Sequence, residues 1–195
     1  MVKGRKPEVF GNGGIKFARR LKQVLNSDYP EFLIGVPNIF YSGFDSKWRA
    51  KSWRINNERF RALLAGDKVY YSAFFGWPNK RDPSFSTHWQ RIKNIWEQKN
   101  ITIVNFNIAL MEHPLFSNAN KIDFITCPQR ASWKEYDRIL QACSDTQCDI
   151  FLASMGPVAT VLAHDLAIRG QQCIDIGQLA SWYNKMHNLE RESLY

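Results

Sequence analysis

At 195 residues, with 45% hydrophobic and 23% charged side chains, the chain has ordinary globular usage, which excludes an intrinsically disordered polymer and fits one core better than two full domains. No apolar run reaches the roughly 18–20 residues of a membrane span, and the opening MVKGRKPEVFGNGG lacks the apolar centre of a secretory signal, so a cytoplasmic protein is expected. The net charge of +8 and pI near 9.4 favour anionic partners: nucleotide phosphates, nucleic acid or an acidic membrane surface.

The first fourteen residues read as a flexible basic lead-in with Lys3, Arg5 and Lys6, and Gly11, Gly13 and Gly14 as its end. From Ile15 to Asn26, apolar Ile15, Phe17, Ala18, Leu21, Val24 and Leu25 recur at three and four with basic residues between them, which predicts an amphipathic helix. FLIGVPN (Phe32–Asn38) is a short apolar run ended by Pro37 and predicts a buried strand. Ser46 to Ala65, with Ser46 as N-cap and Gly66 as stop, predicts a long helix. It carries a second basic group, Lys47, Arg49, Lys51, Arg54, Arg59 and Arg61, which a solvated helix face also explains.

KVYYSAFF (Lys68–Phe75) is the second expected strand, WPNKRDPS a loop, and Phe85 to Gln98 a helix with Trp89, Ile92 and Trp96 on one face. Further strands are expected at Ile101–Asn107, Lys121–Cys127, Asp149–Gly156 and Gln171–Gly177, and helices at Ser132–Ser144, Pro157–Gly170 and Gln178–Glu192. This alternation implies right-handed crossovers. The expected fold is therefore α/β and Rossmann-like, one domain over residues 1–195 with a mostly parallel sheet of about six strands and helices on both faces.

Two junctions carry candidate chemistry. Ser154-Met155-Gly156-Pro157 joins a buried strand to a helix, where backbone N–H groups and the positive end of the helix dipole suit an anion. An ordinary tight turn would read the same way, and Gly156 belongs to no GxGxxG fingerprint. Asp175 and Gly177 end the next strand, and open parallel sheets bind ligands beyond their carboxyl ends, so both should face the same edge as Gly156. The Asp175 carboxylate there can bind ribose hydroxyls, hold a metal-bound diphosphate, act as a base, or merely bond loop amides.

His164 follows an apolar run and reads as a packed residue, while His88, His113 and His187 form no metal-binding spacing. Ser154 lies outside a GxSxG elbow. The four cysteines, Cys127, Cys143, Cys148 and Cys173, form no CxxC pair and suggest neither structural zinc nor a disulfide framework. Seven Trp and seven Tyr, several beside basic residues as in Lys47-Trp48-Arg49, could stack bases but are more often core. Trp77, between Gly76 and Pro78 at a strand end, has less reason to be buried.

LASMGPVATVLAHDLAIRGQQCIDIG (Leu152–Gly177) and LFSNANKIDFITCPQRASWKEYDRIL (Leu115–Leu140) resemble the signature of the GT-D fold glycosyltransferases, as do LIGVPNIF (Leu33–Phe40) and YYSAFFGWP (Tyr70–Pro78). The resemblance covers most of Leu21 to Tyr183 and implies a Rossmann-like fold and transfer of a sugar from a nucleotide-diphosphate donor to a glycan, protein or other acceptor. On the enzyme reading Asp175 is the best remaining acid or base, and donor contacts are expected at Gly156, Pro157, Thr160, Gly177 and Gln178, with Lys80 and Arg81 supplying positive charge to the diphosphate.

The family's D-x-E pair holds Mg²⁺ or Mn²⁺ on the diphosphate. Here its nearest counterpart, Phe10-Gly11-Asn12-Gly13-Gly14, lacks both carboxylates, and Val104-Asn105-Phe106-Asn107 replaces an acidic strand end. The expectation is therefore a divergent, N-terminally shortened member with no metal ligands assigned. A nucleotide-sugar or glycan-binding module without turnover, and a nucleic-acid-binding or modifying protein, are the alternatives.

Overall fold

The computed structural model describes residues 14–36, 62, 64–73, 75 and 85–187. In chain order these form α1 (Gly14–Leu25), β1 (Gly35–Val36), β2 (Tyr71–Ser72), α2 (Phe85–Lys93), β3 (Asn100–Asn105), β4 (Lys121–Thr126), α3 (Tyr136–Ser144), β5 (Ile150–Ala153), α4 (Val158–Ile168), β6 (Cys173–Asp175) and α5 (Leu179–His187). The chain falls into two compact units, Met1–Leu21 with Gly76–Tyr195, and Lys22–Phe75.

In the first unit four strands run in the order β4-β3-β5-β6, and every pairing is parallel, with Ile103 opposite both Phe124 and Leu152, and Ala153 opposite Asp175. β3 is central, and its residues Ile101 to Asn105 are all buried, as a continuous apolar run predicts for a strand covered on both faces. Because side chains alternate along a strand, Ile101, Ile103, Ile150 and Leu152 share one face. They pack there with Trp89, Ile92 and Trp96 from α2 and its following turn, and with Leu179 and Ala180 of α5. The Trp96 indole donates to the Leu115 carbonyl at 3.2 Å, which satisfies the polar atom of a fully buried ring.

The opposite face is covered by α3 and α4, which contact β4 and β6 respectively. α4 buries Val158, Ala159, Val161, Leu162, Ala163 and Leu166. Burying so much of its circumference suits a helix held between sheet and neighbouring helix. The expected coverage of both faces is thus present.

In the second unit β1 and β2 pair in parallel, Gly35 with Tyr71 and Val36 with Ser72. The six expected strands all form, but among the described residues they divide into sheets of four and two. The strands expected over Phe32–Asn38 and Lys68–Phe75 contract to two residues each. Both residues of β2 are exposed, so little burial rewards a longer ladder. Tyr70 instead fixes the local chain, accepting the Ala65 N–H at 2.9 Å and donating to the Leu25 carbonyl at 3.3 Å. Lys68 reaches the Ser27 carbonyl and pairs with Asp28.

The helix expected over Ser46–Ala65 lies mostly outside the described residues. Its end is corrected: Ala62 and Leu64 sit in a turn and a bend, and the Ala65 N–H donates to the Tyr70 hydroxyl. α2 ends at Lys93 rather than Gln98, since residues 94–98 are turns and bends and Gln98 has a left-handed φ of 58°. The helix expected from Ser132 begins as a 3₁₀ segment, Ser132–Glu135, before α3.

Candidate functional site

Two turns meet at the carboxyl edge of the four-stranded sheet. Asp175 is the last residue of β6, opposite the last residue of β5, and the Ile176 N–H donates to the Ala153 carbonyl at 2.9 Å. Gly156 lies three residues beyond β5 at φ +64°, and Gly177 two beyond β6 at φ +45°. Both conformations are ones that side chains with a Cβ rarely adopt. A Cβ built on either glycine would meet no atom of the described residues within 4 Å, so among these residues the space above both backbones is open. The expected common edge for Gly156 and Asp175 is therefore present.

Asp175 is half-buried. Its Oδ2 accepts from the Thr160 hydroxyl at 2.8 Å, and its Oδ1 from the Gly177 N–H at 3.1 Å. Burial pushes its carboxyl up to about 6, although both hydrogen bonds act in the opposite sense. A carboxylate has about four lone-pair sites, so these two bonds fix its plane and leave acceptor capacity for a ligand.

Behind this pair runs a buried frame. The Ser154 hydroxyl donates to the Gly177 carbonyl at 2.7 Å, and Asn105, fully buried at the end of β3, donates from Nδ2 to the Ser154 carbonyl at 2.6 Å. The Asn105 Oδ1 accepts the Asn107 N–H at 2.7 Å. Its backbone carbonyl accepts the Cys127 N–H, after β4, at 3.0 Å. Asn105 thus ties the ends of three strands together. In the sequence it stood out only as a departure from an acidic pattern; the usable signal was a polar residue closing an otherwise apolar buried strand.

Of the other expected contacts, Pro157 immediately precedes α4 and Gln178 is exposed just before α5, so both adjoin the two turns. Lys80 and Arg81 lie outside the described residues. His164 is buried, as a packed histidine should be. It lies beside Asp165 (3.0 Å) and Arg20 (3.3 Å), while Arg20 pairs with Asp165 and the Tyr136 hydroxyl donates to Asp165 at 2.7 Å. Burial alone would raise the Asp165 carboxyl, but bonds from His164 and Tyr136 and the Arg20 cation hold it below the ordinary range. This cluster joins α1, α3 and α4.

The described residues do not by themselves form a divalent-cation site. Mg²⁺ and Mn²⁺ need several oxygen ligands, and among the described residues no group of three or more His, Cys, Asp or Glu is arranged to hold a metal. At the edge, Asp175 is bonded by the Thr160 hydroxyl and the Gly177 N–H, and the nearby strand ends carry the amide Asn105 and the hydroxyl of Ser154, both bonded to protein partners. Among the described residues no helix is long and apolar enough to cross a membrane.

A parallel α/β sheet with glycine turns and a carboxylate at its carboxyl edge is the architecture at which open α/β sheets bind their ligands. The chain belongs to the glycosyltransferase GT-D fold family, whose model matches residues 1–192. It is 25% identical over 166 residues to glycosyltransferase GlyD of Streptococcus pneumoniae serotype 4 (strain ATCC BAA-334 / TIGR4), covering 80% of this chain and 20% of that protein. It is 30% identical over 99 residues to the probable glycosyl transferase Gly of Streptococcus gordonii, covering 49% of this chain and 14% of that one. The chain thus matches a fifth or less of the length of these curated relatives.

Among solved structures, a new glycosyltransferase (domain of unknown function 1792) from Streptococcus sanguinis superposes with TM-score 0.75 at 24% identity, covering 92% of this chain and 72% of that one. A structure of the same domain, described as having a distinct glycosyltransferase fold, gives TM-score 0.77 at 25% identity, with 92% and 69% covered.

Proposed function

We propose that this chain transfers a sugar from a nucleotide-diphosphate donor to a glycan or protein acceptor, with the donor lying across the Gly156 and Gly177 turns. The observation that carries the reading is the convergence of two left-handed glycines under open space with a half-buried carboxylate at one sheet edge. Gly156 and Pro157 bring the amino end of α4 to the diphosphate, where N–H groups and the helix dipole favour negative charge. Asp175 and Gln178 receive the ribose or sugar hydroxyls, and the basic Lys80-Arg81 stretch offsets the diphosphate charge. With its carboxyl near 6, Asp175 is mostly ionised at neutral pH yet more basic than an ordinary carboxylate, which suits a group that takes the acceptor hydroxyl's proton as that oxygen bonds to the sugar's anomeric carbon and the carbon–oxygen bond to the diphosphate breaks, releasing nucleoside diphosphate.

A second reading, a nucleotide-sugar or glycan-binding module without turnover, is favoured by the absence of carboxylates at Asn12 and Gly14 in the sequence. The two separate in one experiment, in which a panel of nucleoside-diphosphate sugars is followed for binding by calorimetry and for release of nucleoside diphosphate by chromatography. Turnover supports the transferase, and binding without turnover supports the module. Failure of any donor to bind at millimolar concentration removes both. Retention on a polyanion with a steep salt slope would then move the chain to nucleic-acid binding.

A further inference from the structure

We propose that Thr160 is a positioning residue for Asp175, acting on the donor through the carboxylate rather than by touching the donor itself. The inference rests on the reading of the site given above. Thr160 stands in the first turn of α4, and its hydroxyl donates to Asp175 Oδ2 at 2.8 Å, while the Gly177 N–H donates to Oδ1 at 3.1 Å. A threonine hydroxyl has one proton, and here it is committed to the carboxylate. Threonine populates two χ1 rotamers within a helix, and the bond to Asp175 Oδ2 selects the one that aims the hydroxyl at the carboxylate. One donor on each oxygen, from two different elements, sets the plane in which the remaining lone pairs face the open space above the glycines.

No other described group competes for this role. Ile174 and Ile176, on either side of Asp175 in the chain, join the core cluster with Leu179 and Ala180 of α5 and so turn to the opposite face of the sheet, and β5, Ile-Phe-Leu-Ala, carries no titratable side chain. On α4, His164 and Asp165 are engaged with each other and with Arg20. The Cys173 thiol, on the same strand as Asp175, is raised well above its ordinary value by burial, neighbouring thiols and Asp175, and so stays neutral. The Thr160 hydroxyl is therefore the side-chain donor that favours the ionised carboxylate over the acid.

The test is a carbon-13 carboxyl titration of Asp175, assigned with Asp175→Asn, in the wild type, Thr160→Val and Thr160→Ser, with calorimetric binding of ADP and UDP from pH 5.5 to 9. Loss of the hydroxyl in the near-isosteric valine variant should raise the Asp175 midpoint by about one pH unit, and serine should restore it. Relative to wild type, binding should fall most at pH 6, with a pH-dependent part of about five-fold there and about two-fold at pH 7, and only a smaller residual loss above pH 8.5, where both carboxylates are ionised and the lost aim alone is read. An unmoved midpoint with intact wild-type binding overturns the inference alone. Equal loss of binding at every pH in Thr160→Val also overturns it, because that is the signature of a direct ligand contact or of general disruption. If the wild type binds neither nucleotide at millimolar concentration, the donor reading falls and the positioning role with it.

Discussion

Replacing Asp175 by Asn should make the protein more stable at neutral pH, and the effect should vanish in acid. Asp175 titrates near 6 in the folded chain because burial penalises its charge, against about 3.9 for an unfolded aspartate. Between about pH 4 and 6 the folded state therefore binds more protons than the unfolded state, so the contribution of this group to stability is complete below 4 and is lost as pH rises through 6. A gap of about two pH units at about 1.4 kcal/mol each gives an upper value near 3 kcal/mol, and partial solvent access reduces it to about 1–3 kcal/mol. Asparagine has no charge to bury and can keep both local bonds, accepting the Gly177 N–H through Oδ1 and donating to the Thr160 oxygen through Nδ2. Urea unfolding followed by tryptophan fluorescence from pH 4 to 8 measures the difference. The two proteins should coincide near pH 4 and separate by about 1–3 kcal/mol at pH 8 in favour of Asn, while nucleoside diphosphate affinity falls about ten-fold from loss of charge-assisted bonds. A difference that is flat with pH, or a wild type that is the more stable at pH 8, would refute the argument.

Gly156→Val places a β-branched residue at φ +64° in open space. It should cost about 1–2 kcal/mol in thermal or chemical unfolding and obstruct donor binding in calorimetry, whereas Gly156→Ala should obstruct less. Mg²⁺ or Mn²⁺ titrated into the free protein should bind weakly, since the described edge offers too few oxygen ligands; a micromolar calorimetric site without nucleotide would contradict this. His113 is buried, accepts the Leu115 N–H on Nδ1 and bonds Asn184 through Nε2. Burial lowers its pKa, against the Asn184 bond, which raises it. Its contribution to stability is therefore present above about pH 6.5 and lost as pH falls below that value. In a His113→Gln comparison the wild type should lose stability relative to the variant from pH 7 to 5.

The sheet and its edge were legible because strong periodicity and strong punctuation coincide there. DIFLASMGP couples a buried run to a glycine and a proline that starts a helix, and the structure places β5, the Gly156 turn and α4 in that order. The face formed by Trp89, Ile92 and Trp96 was equally readable, and all three are buried. Strand lengths in the second unit were less so, because the apolar letters of KVYYSAFF do not reveal that Val69 and Tyr71 are 72% and 50% exposed. Burial follows from which strands find neighbours, and propensity carries no information about that.

The wiring of the site was least legible, and the reason is register. Asn105 and Ser154 are 49 residues apart, Ser154 and Gly177 are 23 apart, and Thr160 and Asp175 are 15 apart. No local pattern relates these residues until parallel pairing brings the ends of β3, β5 and β6 level. Once they are level, the departure from an acidic strand end acquires a physical meaning. A carboxylate at position 105 could accept the Asn107 N–H but could not donate to the Ser154 carbonyl, and burying it without a cationic partner would penalise its charge. The amide serves both partners without charge. The ends of β3 and β5 then form a neutral frame, which is the arrangement in which the Thr160 hydroxyl and the Gly177 N–H decide how the Asp175 carboxylate is aimed.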